Sequence, residues 1–147
     1  HLDFRRQRQM CIRDRIYQAD CILLILSILS DDQAIEFINY ANELKLDCII
    51  EVHDEDELKR AIKLDYPVIG INNRNLKSLE INLNNSINLN KSLTNDYILI
   101  AESGIKTSDD IKKFNSTGIY NFLIGESLLK SKDKEKKIGE LLLNESY

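Results

Sequence analysis

The stretch YILIAESGIKT, residues 97–107, decides how the rest of the chain is read. Tyr97 to Ala101 form a continuous apolar run, as expected of a parallel strand covered on both faces. Glu102, Ser103 and Gly104 then put a carboxylate, a hydroxyl and a glycine at the strand's end. Thr107 and Asp110 have the spacing of a helix N-terminal capping pair, so a helix is expected to start there. Strand, polar mouth, short loop and capped helix make one βα unit.

The same unit recurs on either side. Four more apolar runs are CILLILS (21–27), CIIEV (48–52), VIGIN (68–72) and YNFLIG (120–125). Between them lie segments of helical period. DDQAIEFINYANELKL brings Ala34, Ile35, Ile38, Ala41 and Leu44 near one face. DEDELKRAIKL does so with Leu58, Ala61 and Ile62, and TSDDIKKFNSTG with Ile111 and Phe114. The last ends on Gly118, a helix C-terminal glycine. Ser30 with Gln33 and Asp54 with Glu57 repeat the capping device of Thr107 and Asp110.

Arrays of this kind build either an open doubly wound sheet or a closed (β/α)8 barrel. The GxGxxG nucleotide fingerprint is absent. Four consecutive runs end in polar or glycine residues: Glu51; Asn72 with Arg74; Glu102-Ser103-Gly104; Gly125-Glu126-Ser127. A barrel gathers such ends on one face, where barrel enzymes keep their sites, and this favours the barrel.

Composition sets the outer bounds. The chain has 147 residues, 43% hydrophobic and 30% charged, which fits a globular domain. A net charge of −4 argues against nucleic acid or an anionic membrane as partner. No apolar run approaches the roughly 20 residues that span a bilayer. Cys11, Cys21 and Cys48 lack metal spacing and fit reduced thiols in a cytoplasmic protein. Cys21 and Cys48, in apolar runs, read as small core residues. With two histidines, a histidine metal site is not expected.

Residues 1–15, HLDFRRQRQMCIRDR, differ from the remainder. They hold five of the seven arginines and none of the thirteen lysines. Their net charge of +3 leaves −7 for residues 16–147. The segment reads either as a basic arm for an acidic partner or as a stretch foreign to the gene, and the second account is favoured. Residues 16–147 are then read as a partial barrel.

Each polar mouth residue has two readings. Glu51 is a solvated or paired strand-end carboxylate, or a general acid/base tuned by its apolar surroundings. His53 starts the following loop, where a solvated histidine is the simpler account. In GINNRNL (70–76), Asn72 brings an amide that both donates and accepts, and Arg74 can grip a carboxylate or phosphate with two prongs. The same letters also make a tight turn. Gly104 and Gly125 have a more definite mechanism, since glycine lets an anion approach exposed backbone N–H groups. Barrel enzymes often place a phosphate at the loops after their last two strands.

With these residues in view, 19–143 closely resembles the C-terminal half of indole-3-glycerol-phosphate synthase. ADCILLILSILSD, IIEVHDEDEL, IGINNRNLKSLEINL, IAESGIKTSDDI and FLIGESLL are similar, in order, to that family's strands four to eight. The resemblance implies a (β/α)8 barrel of which about five βα units are present. It implies a carboxy-lyase of tryptophan biosynthesis. Such an enzyme closes and decarboxylates 1-(2-carboxyphenylamino)-1-deoxyribulose 5-phosphate without a cofactor or metal, and the resemblance implies other enzymes of that pathway as partners. By position, Glu51 matches an acid/base group of the dehydration half, and Asn72 an asparagine that holds substrate hydroxyls. Arg74 matches an arginine facing the anthranilate carboxylate. Glu102 and Ser103 match a pair near the sugar chain. Gly104, Gly125 and Glu126 match positions whose backbone holds the phosphate, and Leu76 and Ile124 match the apolar lining under the aromatic ring.

The family also carries a lysine general acid on strand three and a glutamate and lysine on strand one. The matching segment starts just before strand four, so these have no counterpart here. A complete barrel takes roughly 250 residues. The chain is therefore expected to be a truncated portion that is inactive alone. Two rivals are a stand-alone half-barrel that binds or assembles, and another phosphate-binding barrel enzyme such as phosphoribosylanthranilate isomerase. The latter is disfavoured because EVH, INNR and ESG would not be expected there together.

Overall fold

The computed structural model describes residues 2–94 and 96–142, with side chains from Arg8 onward. It divides the chain into two compact units, His1–Ile69 and Gly70–Tyr147, with the division inside a strand. In the first unit α1 (Leu2–Ile16) precedes β1 (Cys21–Ile25), α2 (Asp31–Glu43), β2 (Asp47–Val52) and α3 (Glu55–Lys63). The strand β3 (Val68–Asn72) carries the division. The second unit continues with α4 (Asn84–Asn90), β4 (Ile98–Glu102), α5 (Ser108–Asn115), β5 (Asn121–Leu123), α6 (Glu126–Lys130) and α7 (Lys134–Leu142). Every strand is followed by a helix, giving the α/β array of five βα units expected from the apolar runs.

Within the first unit β1 and β2 pair in parallel, with Ile25 opposite Glu51. Leu26, just past β1, donates its N–H to the Glu51 carbonyl at 3.0 Å. Arg60 of α3 ties down the loop after β1. Its Nε reaches Asp31 Oδ1 at 2.6 Å, and its terminal nitrogens donate to the carbonyls of Leu26 at 2.9 Å and Leu29 at 2.5 Å. In the second unit β4 pairs in parallel with β5, Glu102 lying opposite Leu123.

All three expected helix starts form. Ser30 and Gln33 make a reciprocal capping box, as do Thr107 and Asp110, and Asp54 accepts from the Glu57 N–H. Gly118 takes a left-handed φ of +85° where α5 ends. Burial raises the pKa of the Asp110 carboxyl, but three hydrogen bonds outweigh it and leave the group below its ordinary value of 3.8. They come from the Lys106 and Thr107 N–H groups and the Thr107 hydroxyl. A carboxylate held low stabilises the fold fully above its ordinary value, and this contribution is lost as pH falls through the lowered one. Thr107→Ala is expected to cost about 1 kcal/mol at neutral pH. Denaturant melts should show the gap to wild type narrowing in acid.

The core differs from expectation at several points. Helix α2 buries Ala34, Phe37, Ile38 and Ala41, whereas Ile35 is 47% exposed. The buried stripe is centred one step round from the face read from the sequence. Cys48 is fully buried, but Cys21 is exposed. Cys21 and Leu23 share one face of β1, and both are exposed, while Leu24 and Leu26 are buried. Ile25 on that same face is partly buried, so cover is incomplete at Cys21 and Leu23, and a continuous apolar run overstates the burial of β1. Burial, with added repulsion from the neighbouring cysteines, pushes the Cys48 thiol up to about 12, so it stays protonated.

The arginine-rich segment forms most of α1. There Cys11 is 1% exposed, and the Arg8 guanidinium lies 4.5 Å from the Tyr40 ring centroid on α2. Helix α4 is not among the segments of helical period read from the sequence. Its sequence NNSINLN has weak helix formers and no side-chain cap, and tertiary contacts through buried Ser86 and Leu89 hold it instead.

Candidate active site

Seven of the ten residues to which the family resemblance gives a role line one cavity of about 880 Å³ in the second unit. They are Arg74, Glu102, Ser103, Gly104, Ile124, Gly125 and Glu126. The cavity lies at the C-terminal ends of β4 and β5, where the chain leaves each strand for its helix. Ile105 and Leu123 add apolar surface, while Lys106, Lys130 and Lys137 bring positive charge, with Lys130 paired to Glu126 and Lys137 to Glu140. The three lysines escaped the sequence reading, because nothing in their local spacing sets them apart from other surface lysines.

Glu102 ends β4 and is 3% exposed. Ser103 and Gly104 both have left-handed backbone, with φ of +66° and +82°. At Gly104 the absence of a side chain is required twice over. A Cβ there would sit 2.4 Å from Ile81 Cγ2 and 3.0 Å from Leu83 Cδ2, on a backbone that L residues rarely adopt. Gly125 is different: a Cβ there would meet nothing within 4 Å, and φ is −108°. Packing does not explain that glycine, and open space at the cavity wall is what it leaves.

Arg74 reaches the cavity through a short turn. The Asn72 side-chain oxygen accepts from the Arg74 N–H at 2.9 Å, and Arg74 bridges to Ile81 in an antiparallel contact. The Arg74 guanidinium pairs with Glu126 at 2.5 Å. Lys130, chiefly, and then Arg74 hold the Glu126 carboxyl below its ordinary range, so it is an anion. Any carboxylate ligand of Arg74 must therefore share or replace Glu126, and Glu126 can favour a phosphate only through its backbone.

Three of the ten residues lie off this cavity. Asn72 is buried at 7% and acts on Arg74 through the turn just described. Leu76 is 43% exposed in the loop after β3. Glu51 ends β2 in the first unit and is 4% exposed. His53, one residue past β2, donates its backbone N–H to Glu57 at 2.8 Å and is half-buried. Among the described residues no group of three or more His, Cys, Asp or Glu is placed to hold a metal ion. No helix among them is long and apolar enough to cross a membrane.

The successive βα units, with polar groups and glycines collected where β4 and β5 end, define a protein of the βα-barrel class whose candidate site lies at strand C-termini. Solved structures agree on the fold. A mandelate oxidase carrying an FMN adduct superposes with a TM-score of 0.74 at 11% identity, over 96% of this chain and 53% of that one. An Amycolatopsis orientalis BexX/CysO complex gives 0.65 at 10% identity, over 92% and 57%.

Sequence is more specific. The profile for indole-3-glycerol phosphate synthase matches residues 3–141, a span that takes in most of the arginine-rich segment. The chain belongs to the indole-3-glycerol phosphate synthase family. A Legionella pneumophila indole-3-glycerol phosphate synthase is 46% identical over 124 residues, covering 84% of this chain and 48% of the relative. One from Acinetobacter baylyi is 43% identical over 140 residues, covering 95% and 52%. The chain thus spans about half the length of the curated relatives it matches.

Proposed function

We propose that this chain supplies the second half of an indole-3-glycerol phosphate synthase, the half that holds the sugar-phosphate end of the substrate and serves the dehydration step. The single observation that carries the proposal is the common cavity of Arg74, Glu102, Ser103, Gly104, Ile124, Gly125 and Glu126. In this reading the phosphate of 1-(2-carboxyphenylamino)-1-deoxyribulose 5-phosphate lies against the backbone of Gly104, Gly125 and Glu126, with nearby lysines balancing its charge. Glu102 and Ser103 take the sugar chain, and Asn72 orients its hydroxyls. Arg74 receives the anthranilate carboxylate, sharing its guanidinium with Glu126.

The chemistry then divides into two halves. The ring carbon that bears the carboxylate attacks the ketone carbon while an acid protonates the ketone oxygen. Loss of CO2 restores the aromatic ring. The new hydroxyl leaves as water and a proton departs, creating the pyrrole double bond. Glu51 is the acid/base group for that second half, and a buried carboxylate is suited to it. The acid for the first half is a lysine on an earlier strand of the family barrel, so the 147 residues do not complete the reaction alone. No cofactor enters this scheme. A cytoplasmic setting, beside other enzymes of tryptophan biosynthesis, accompanies it.

Growth of a tryptophan auxotroph that lacks this enzyme tests the proposal. The chain alone is expected to give no growth. Co-expression with the part of the Legionella relative that the match leaves uncovered is expected to restore it. Growth on the chain alone would refute the need for the missing lysines, and no growth from two soluble, associated halves would refute the assignment.

A further inference from the structure

Asn73 has no substrate role in the proposal above, yet it is the hydrogen-bond hub of the second unit. It follows β3 and is 1% exposed. Its backbone N–H donates to the Glu102 carbonyl at 2.9 Å. Its side-chain Nδ2 donates to the same carbonyl at 2.9 Å and to the Ser103 carbonyl at 3.3 Å. On its other side Oδ1 accepts from the Ser86 N–H at 3.1 Å and the Ser86 hydroxyl at 2.8 Å, both on α4. One buried amide thus joins the ends of β3 and β4 to a helix.

The donor half faces the unusual backbone of the site. Ser103 holds a φ of +66°, rare for a residue with a side chain, and Gly104 follows at +82°. No peptide bond among the described residues is cis. A trans peptide sets its N–H opposite its C=O. Holding the Ser103 carbonyl toward Asn73 therefore turns the Gly104 N–H to the opposite side, and both Ser103 and Gly104 line the cavity.

We propose that Asn73 is a positioning residue for anion binding: its Nδ2 holds the Ser103–Gly104 turn so that the Gly104 N–H is presented to the substrate phosphate. This rests on the phosphate reading of the cavity. It adds a requirement that the reading alone does not make, namely a side-chain donor behind the turn. The acceptor half, toward Ser86, fastens α4 and has no part in the anion's geometry.

Amide NMR of the 15N-labelled chain titrated with inorganic phosphate separates the two halves. In the unsubstituted chain the Gly104 amide is expected to shift saturably. Asn73→Asp keeps the acceptor side but replaces the donor with an oxygen facing two carbonyls. It should displace the Gly104 resonance in the free protein and weaken phosphate by about tenfold or more. Asn73→Ala, the substitute if the aspartate variant does not fold, should do the same. Ser86→Ala leaves the donors intact and should bind phosphate within about twofold of wild type despite a lower melting temperature. Equal weakening by Ser86→Ala and Asn73→Asp would reduce Asn73 to a structural residue and overturn the proposal. So would an unmoved Gly104 resonance in the Asn73 variants. No saturable shift in the unsubstituted chain would instead bring down the phosphate reading, and this proposal with it.

Discussion

Gly104→Ala is expected to destabilise the protein by about 2–5 kcal/mol, whereas Gly125→Ala should leave stability within about 0.5 kcal/mol of wild type. Two terms add at Gly104. A left-handed backbone costs an alanine about 1–2 kcal/mol. Pushing its methyl into Ile81, 2.4 Å from the position of the new carbon, adds roughly 1–3 kcal/mol of overpacking. Neither term exists at Gly125, whose φ of −108° suits any residue and whose added carbon meets nothing within 4 Å. Chemical denaturation of the two variants measures the contrast directly. Under the proposed function Gly125→Ala still loses phosphate binding, because the methyl occupies the space into which the anion comes. Retained binding with retained stability at Gly125 would show that the phosphate lies elsewhere.

Glu51→Gln is expected to lower kcat of the completed enzyme by about 10²–10⁴-fold, with KM changed far less. Glutamine preserves the size and shape of this buried side chain, so the loss reports proton transfer rather than folding. An interaction needed only in the transition state moves kcat and kcat/KM together. Steady-state product formation by the two associated halves, wild type against variant, supplies both constants. A kcat within about threefold of wild type would remove Glu51 from the acid/base role.

How much of this was legible beforehand depended on whether a local rule was enough. The helix starts at Ser30, Asp54 and Thr107 were legible because a cap is built from residues three apart. Glu102, Ser103 and Gly104 stood out because polar groups at the end of an apolar run have few purely local explanations. The reason for Gly104 was only half visible. Its left-handed φ suits a turn, but the contact with Ile81 depends on a loop more than twenty residues earlier in the chain. Asn73 was hidden for the same reason. In GINNRNL it is one of three asparagines compatible with a turn, and its partners Ser86, Glu102 and Ser103 are 13 to 30 residues away. Cys21 and Leu23 were misjudged because a continuous apolar run does not say whether both faces find cover. Helix α4 failed the propensity test, since tertiary burial of Ser86 and Leu89 supports it rather than its own asparagine-rich sequence.

The central proposal is that this chain supplies half of an indole-3-glycerol phosphate synthase. Its most direct test is a single-turnover reaction with the purified chain and the complementary half of the Legionella relative. Substrate is supplied below the protein concentration, and indole-3-glycerol phosphate and CO2 are both quantified. The account predicts one of each per substrate consumed with the halves mixed, and neither product from either half alone. Unchanged substrate in a mixture whose halves co-elute as one species would contradict it.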